Sequence, residues 1–125
     1  MAKKDTFYLT TAIPYANADP HIGFALEILY TDVMARYQRL LGKDVYFLTG
    51  TDEHGQKMLH TAKEAGKSVE EFATEKSAQY LSLADQWNIS NNDFIRTTEE
   101  RHIVGAQEFW RQSMANDDIY KKTYT

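Results

Sequence analysis

The spacing of hydrophobic and polar positions changes several times along the chain, which predicts strands that alternate with helices. Three short runs rich in aromatic and β-branched residues have the character of strands, at 6–13, 44–50 and 93–98. A fourth run, at 118–125, fits the same description. Between the runs, apolar residues recur every three or four positions, as in amphipathic helices. This alternation predicts an α/β fold, a Rossmann-like parallel sheet with flanking helices and right-handed crossovers.

The first helix is predicted to start near Pro20 and to end before Gly42. Asp19 can cap its start, and Pro20 suits the first helical position because proline lacks the N–H that would be unpaired there. Gly42 suits the position after the last turn. The apolar face expected to pack on the sheet consists of Ile22, Leu26, Leu29, Val33, Tyr37 and Leu40.

Two more helices are predicted after the second strand. The first is short and ends at about Ala65, with Gly66 as its stop. Ser68 and Glu71 have the spacing of a capping box at the start of the second. The inward positions of that helix are expected to be Val69, Phe72, Ala73, Tyr80, Leu83, Ala84 and Trp87.

A last helix is predicted after the third strand. Thr97 and Glu100 repeat the capping-box spacing, and the apolar periodicity continues to about Met114. Trp87 and Trp110 lie at helical spacing with other apolar residues, so both are expected in the core.

Composition and charge exclude several classes of protein. With 42% hydrophobic and 26% charged residues, 125 residues suffice for one domain with a core. A net charge of −4 excludes attraction of the whole chain to nucleic acid, so any RNA contact must be local. The chain has no cysteine, which excludes a disulfide scaffold and a cysteine-ligated zinc site. No apolar run reaches membrane-spanning length, so we expect a cytoplasmic protein without membrane contact.

Two unusual loops follow predicted strands, where parallel sheets bind their ligands. In the first, 12–24, His21 lies at a helix start, and the free N–H groups and positive dipole there attract anions. His21 can donate an imidazole N–H to a phosphate, and Gly23 lets a nucleotide approach the backbone. The loop therefore indicates a nucleotide cradle, with a capped helix and an exposed histidine as the alternative. Tyr15 lies in the same loop, where a core role is less natural.

The second loop, 49–55, carries Asp52, Glu53 and His54 after a strand expected to be buried on both faces. Asp52 can accept charge-assisted hydrogen bonds from a substrate ammonium group. The three side chains also suggest a metal, but consecutive residues point in different directions and seldom complete one coordination shell. A substrate role is favoured over a purely structural loop and over a metal site.

Three segments give the chain a resemblance to the methionyl-tRNA synthetase family of class I. They are TTAIPYANADPHIGFALE, FLTGTDEHG and DFIRTTEERH, in this order and spacing. The first resembles the HIGH signature of class I synthetases, although it reads HIGF, so that Phe24 replaces the second histidine. The resemblance covers essentially the whole chain.

The resemblance implies a methionine--tRNA ligase that joins methionine to ATP as methionyl-adenylate and transfers it to tRNA(Met). ATP enters as a substrate with Mg²⁺, and catalysis is positioning plus stabilisation of charge on phosphate oxygens. Residues 1–125 then correspond to the N-terminal half of the Rossmann-fold catalytic domain. The inserted zinc-knuckle domain, the KMSKS half and the anticodon-binding domain fall outside them. We therefore expect no zinc site here, tRNA contacts elsewhere, and no activity from these residues alone.

Site residues follow from the same resemblance. Ile13 and Tyr15 are expected to line the methionine pocket, and Asp52 is expected to hold the α-ammonium group.

The ATP cradle is expected to contain His21 and Gly23, with Asn17 and Glu27 as neighbours. Phe24 occupies a catalytic position of the signature. A phenyl ring cannot donate to a phosphate oxygen, so it either slows catalysis or packs on adenine or the first loop.

Two kinds of alternative remain. Another class I synthetase or an HxGH nucleotidylyltransferase shares the strand–HxGH–helix start, but the TGTDEHG loop argues against both. The other alternative is a stand-alone module that binds a nucleotide or a partner without turnover. Pyrophosphate exchange distinguishes such a module from an enzyme.

Overall fold

A parallel sheet organises the chain, of which a computed structural model describes residues 5–123. Its strands, in spatial order, are β1 (Thr6–Thr10), β2 (Asp44–Thr51) and β3 (Asp93–Arg96). Both pairings are parallel, so all three carboxyl ends lie at one edge of the sheet. The strands alternate with helices along the chain, which confirms the predicted α/β Rossmann-like architecture.

The helices flank this sheet and have clear sequence causes. They are α1 (Ile22–Leu40), α2 (Gln56–Glu64), α3 (Val69–Gln86) and α4 (Glu100–Ala115). The predicted capping box is confirmed, because the Glu71 N–H donates to the Ser68 hydroxyl at 3.2 Å and the Ser68 N–H donates to the Glu71 carboxylate at 3.0 Å. Gly42 and Gly66 follow α1 and α2 with φ of +82° and +67°, a conformation that favours glycine. Within the described residues no helix has the length and apolar character that a membrane span needs.

The predicted start of α1 is wrong by two residues. The helix begins at Ile22, and its N-cap is His21, whose Nδ1 accepts a hydrogen bond from the Gly23 N–H at 3.0 Å. Asp19 does not cap the helix, because its carboxylate binds the Lys76 ammonium of α3 at 2.6 Å. Asp19 therefore forms an ion pair with a helix distant in sequence instead of a local cap.

The predicted capping box at the start of α4 is also wrong. Glu99 is the N-cap and makes no side-chain cap hydrogen bond. The Thr97 hydroxyl is engaged elsewhere, since it accepts from the Glu53 N–H at 2.9 Å. After α4, residues 118–123 form no strand, and 124–125 lie outside the described residues. Strand propensity has no effect there because no pairing with the sheet forms.

The core lies between one face of the sheet and helices α1 and α3. Its buried members are Phe24, Ile28, Ala35, Val45, Phe47, Tyr80 and Ala84. The Phe24 and Tyr80 rings meet edge to face, with centroids 4.9 Å apart. A second cluster of Ala16, Met58, Ala62, Phe72 and Ala73 joins α2 and α3 to the loop after β1.

The apolar face predicted for α1 is wrong, since those side chains point away from the core. Ile22 and Leu40 are each 85% exposed, and the four residues between them on that face are exposed as well. The helix instead buries Phe24, Ala25, Ile28, Asp32 and Ala35. Asp32 is tolerated there because its carboxylate accepts from the Ser90 N–H at 2.7 Å and from the Ser90 hydroxyl at 2.5 Å.

The face of the sheet away from this core is also partly uncovered. Tyr8 and Tyr46 are neighbours in register, and their exposed rings stack with centroids 6.0 Å apart. The prediction that β2 is buried on both faces therefore holds only near its carboxyl end. Trp87 and Trp110, predicted in the core, are exposed. They lie at the end of α3 and on α4, which buries no residue in the described part of the chain.

Gly50 of β2 pairs closely with Ile95 of β3. A Cβ at position 50 would lie 2.0 Å from the Ile95 carbonyl oxygen. Glycine is required here by space and not by backbone conformation.

The two faces of α1 can be compared by substitution in the 125-residue chain. Ile28→Ala is expected to lower the free energy of unfolding by about 2–5 kcal/mol, because it leaves a cavity in the core. Leu26→Ala, on the exposed face, is the matched control and should change it by less than about 0.5 kcal/mol. Urea denaturation followed by circular dichroism measures both. A larger loss for Leu26→Ala would mean that the helix packs through the face predicted from the sequence.

Candidate active site

The loops that follow β1 and β2 are joined by backbone hydrogen bonds. Tyr15 and Asp52 form a parallel bridge beyond the strands. The Asp52 N–H donates to the Pro14 carbonyl at 2.8 Å, and the Ala16 N–H donates to the Asp52 carbonyl at 2.9 Å. The expected convergence of the two loops at the carboxyl edge of the sheet is therefore observed.

Three further contacts hold the first loop in place. Ala16 is fully buried in the small cluster beneath α2 and α3. The Ala12 N–H donates to the Glu27 carboxylate at 2.6 Å, and the Tyr80 hydroxyl donates to the Ala18 carbonyl at 3.3 Å. Glu27 thus ties the loop to α1 through one carboxylate oxygen. Its contact with ATP stays a prediction.

His21 and Gly23 together shape the start of α1. Because the His21 Nδ1 accepts from the Gly23 N–H, the neutral ring carries its proton on Nε2, which is thereby a donor. A Cβ on Gly23 would lie 2.8 Å from the His21 Cε1. The glycine therefore makes room for the histidine ring over the helix start, a role that the sequence analysis did not foresee. The exposed ring keeps its Nε2–H available at the positive end of α1.

Phe24 lies elsewhere, although it comes directly after Gly23 in the signature. Its ring is only 4% exposed and packs on Tyr80 in the core. Packing on adenine or on the first loop stays a prediction, and the observed contact is with Tyr80, whose hydroxyl binds Ala18 in that loop. Buried in this way, the phenyl ring is part of the packing that holds α1 against α3.

The predicted methionine residues lie at the joined loops. Asp52 is half-buried, and its Oδ1 accepts a hydrogen bond from the His54 N–H at 3.3 Å. Tyr15, its bridge partner, is 55% exposed, and Ile13 is half-buried. Asn17, predicted beside ATP, is half-buried one residue after the paired segment. Backbone pairing, and not contact between side chains, brings these residues together.

Glu53 has a role that the sequence analysis missed. It is 1% exposed, and its carboxylate accepts from Arg96 Nε at 2.7 Å and from Arg96 Nη2 at 3.0 Å. The hydroxyls of Thr51 and Thr98 donate to the same carboxylate at 2.9 and 2.5 Å. The sequence signal for this site is the arginine at the end of the third strand with two threonines directly after it. The same residues also suit the start of a helix, which is what their spacing predicted.

The charges of this pair are fixed by their surroundings. Burial alone would raise the pKa of Glu53, but the hydrogen bonds from Arg96, Thr98 and Thr51 and the guanidinium charge outweigh it and lower the pKa. The hydrogen bond to Glu53 raises the pKa of Arg96 in turn. Both groups are therefore charged at neutral pH, which does not suit Glu53 as a general acid or base.

The Asp52–Glu53–His54 sequence sends its side chains to three places. Asp52 stays at the edge of the sheet, Glu53 is buried against Arg96, and the His54 Nε2 lies 3.1 Å from the Thr97 carbonyl oxygen. Across residues 5–123, no three His, Asp or Glu side chains are grouped as a metal site requires. A cleft of about 530 Å³ opens beside His54 and Arg96.

Comparison with protein families identifies this arrangement. The family described as "tRNA synthetases class I (M)" matches residues 7–125, which is nearly the whole chain.

Individual relatives agree with the family. The chain is 52% identical to the methionine--tRNA ligase of Rhizobium meliloti over 99% of its own length and 24% of that protein. It is 48% identical to the methionine--tRNA ligase of Thermotoga maritima over 94% of its length and 19% of that protein. The chain thus spans about a quarter or less of the length of these relatives.

A solved structure shares the fold in detail. The Mycobacterium tuberculosis methionyl-tRNA synthetase in complex with methionyl-adenylate matches with a TM-score of 0.93 and 44% identity. The match covers 96% of this chain and 24% of that one. Sequence, fold and the joined HIGF and TDEHG loops lead to one conclusion: this chain belongs to the methionyl-tRNA synthetases of class I.

Proposed function

We propose that these residues form the part of a methionyl-tRNA synthetase that holds methionine and ATP next to each other. In the whole protein, methionine is activated to methionyl-adenylate and then transferred to tRNA(Met). The observation that carries the proposal is the backbone pairing of Asp52 with Pro14 and Ala16. It joins the loop after β2 to the loop after β1, which leads into the HIGF signature. The Mycobacterium tuberculosis relative was solved with methionyl-adenylate, the product of that activation.

Asp52 binds the α-ammonium group of methionine in this proposal. Its carboxylate is half-buried and receives one backbone N–H, from His54, which leaves acceptor capacity for an ammonium group. Ile13 and Tyr15 form apolar and aromatic walls beside it. Holding the ammonium orients the methionine carboxylate toward ATP.

The start of α1 binds the phosphates of ATP. The first turn of α1 holds no acidic side chain, so its own residues do not neutralise the positive end of the helix. His21 offers its Nε2–H there. Asn17 lies in the loop before α1, and Glu27 lies on α1 itself. We assign the nucleotide cradle to these residues together with Gly23, and Mg²⁺ enters with ATP as part of the substrate.

The reaction needs positioning more than proton transfer. A carboxylate oxygen of methionine attacks the α-phosphorus of ATP. A bond forms between this oxygen and the phosphorus, and the bond from the phosphorus to pyrophosphate breaks. Charge grows on phosphate oxygens, where donors such as the His21 Nε2–H and the helix start stabilise it. Transfer to tRNA(Met) uses parts of the relatives that lie beyond this chain.

Asp52→Asn tests the ammonium site. The substitution keeps the shape and removes the charge, so methionine binding should weaken by about 2–3 kcal/mol, a rise in methionine KM of roughly 30- to 150-fold. The measurement uses a chimera in which this chain replaces the matching quarter of the Rhizobium meliloti enzyme. Asp85→Asn, an exposed carboxylate on α3, is the control. An unchanged methionine KM in the Asp52→Asn chimera contradicts the assignment.

The 125-residue chain alone is expected not to activate methionine. It spans about a quarter of the relatives' length, so we expect the remaining walls of both substrate sites to be contributed by other residues of the whole protein. ATP should bind with a Kd no tighter than about millimolar, or about 4 kcal/mol. Methionine-dependent exchange of pyrophosphate into ATP measures activation, with the chimera as positive control. Exchange above background by the pure chain would refute the expectation.

Phe24→His tests whether the signature position limits catalysis. The ring at this position is buried against Tyr80, so an imidazole would be placed in the core without a partner. We expect the free energy of unfolding to fall by about 1–3 kcal/mol and kcat of the chimera not to rise. Phe24→Leu, which keeps the site apolar, separates lost volume from the buried polar group. A tenfold gain in kcat for Phe24→His would show that the ring had displaced a needed donor.

A further inference from the structure

The buried carboxylate of Glu53 connects several elements near the site. It receives four hydrogen bonds from Arg96, Thr51 and Thr98. Arg96 also donates from Nη2 to the Thr74 hydroxyl of α3 at 3.0 Å. The ends of β2 and β3 and the middle of α3 therefore share one hydrogen-bond network.

This network lies directly beside Asp52 in the chain. On one side, the Asp52 backbone is bound to the first loop through Pro14 and Ala16. On the other side, the Glu53 N–H donates to the Thr97 hydroxyl, and the His54 ring meets the Thr97 carbonyl. Asp52 is therefore held from two sides, by the first loop through its own backbone and by the end of β3 through Glu53 and His54.

Stability alone is a weak reason for such a pair. Taking two charges out of water is costly, and apolar residues of similar volume often stabilise a protein as well or better. The ion pair instead fixes the orientation of the Glu53 side chain, because the guanidinium group and two hydroxyls bind both of its carboxylate oxygens. Within residues 5–123, Arg96 neutralises Glu53 and leaves Asp52 as the carboxylate of the loop that forms no ion pair.

We propose that Glu53 and Arg96 are positioning residues that hold the Asp52 carboxylate where the substrate ammonium binds. The inference rests on the proposed function of Asp52 and extends it to a pair that does not itself touch substrate. The pair acts through the backbone, because a shift of the segment 52–54 toward solvent would break the bonds of Glu53 to both Arg96 and Thr97.

The positioning part is tested on the 125-residue chain by amide hydrogen exchange. Glu53→Gln keeps the shape but places an amide NH₂ against donors. The Asp52 and Ala16 amides should then exchange at least tenfold faster, while the Asn92 amide, bound to the Phe47 carbonyl in the middle of β2, should not change. Glu75→Gln, which removes an exposed ion pair with Lys67, is the matched control and should change none of them.

Thr98→Val provides a milder second variant if Glu53→Gln does not fold. It removes one hydroxyl from the carboxylate at nearly constant volume, and we expect at least a threefold acceleration at Asp52 and Ala16. Unchanged protection of these two amides in the folded variant overturns the proposal.

The functional part is tested in the chimera by separating kinetic parameters. Glu53→Gln and Arg96→Lys should each raise the methionine KM about tenfold and leave the ATP KM unchanged. A purely structural role would instead reduce the amount of active enzyme, which lowers apparent kcat and moves neither KM, and that result overturns the proposal. If Asp52→Asn raises the methionine KM and Glu53→Gln does not, the positioning role is wrong and the ammonium site stands. If neither variant moves it, the ammonium site itself is wrong.

Discussion

Parallel pairing between β1 and β2 is the constraint on which the rest of this structure depends. It places both carboxyl ends at one edge, and two backbone hydrogen bonds continue the pairing into the loops, from Pro14 and Ala16 to Asp52. Neither loop has regular structure of its own around these residues. Their geometry is therefore inherited from the sheet, which is stiffer than any loop and sets the spacing between the two predicted substrate sites.

Large apolar surfaces remain uncovered in the described part of the chain. The outer face of α1, the stacked Tyr8 and Tyr46, and most of α4 are exposed. Patches of this kind mark surfaces that contact other protein. The relatives are about four times as long as this chain, so they contain ample additional structure to cover such faces. The same surfaces explain why the apolar periodicity alone predicted the wrong buried face for α1.

How much the sequence revealed depended on the range of the interactions involved. The Ser68–Glu71 cap and the turns at Gly42 and Gly66 depend on neighbours within a few residues, and they were predicted correctly. The buried face of α1 was not, because most of its large apolar residues lie on the outer face, while the core face combines Phe24 and Ile28 with two alanines and Asp32. That choice is made by the shape of the sheet surface, which no local pattern encodes.

The site shows the same division. Motif residues at the two loops could be named, because their residue types suit ammonium and phosphate ligands. The partnership of Glu53 with Arg96 joins positions 43 residues apart and required the register of β2 and β3. Thr97 was misread for the same reason, since its hydroxyl binds the Glu53 amide across the sheet and not its own helix.

Gly50 shows how closely a residue without functional groups can control this chemistry. The Ile95 carbonyl fills the volume that any side chain at position 50 would need, and Arg96 is the next residue. Adding even one methyl group would push β3 outward and carry the guanidinium away from Glu53. Any lineage that lost this glycine would need a compensating change in the path of β3. Only then could Arg96 again hold Glu53 and the loop after β2 in place.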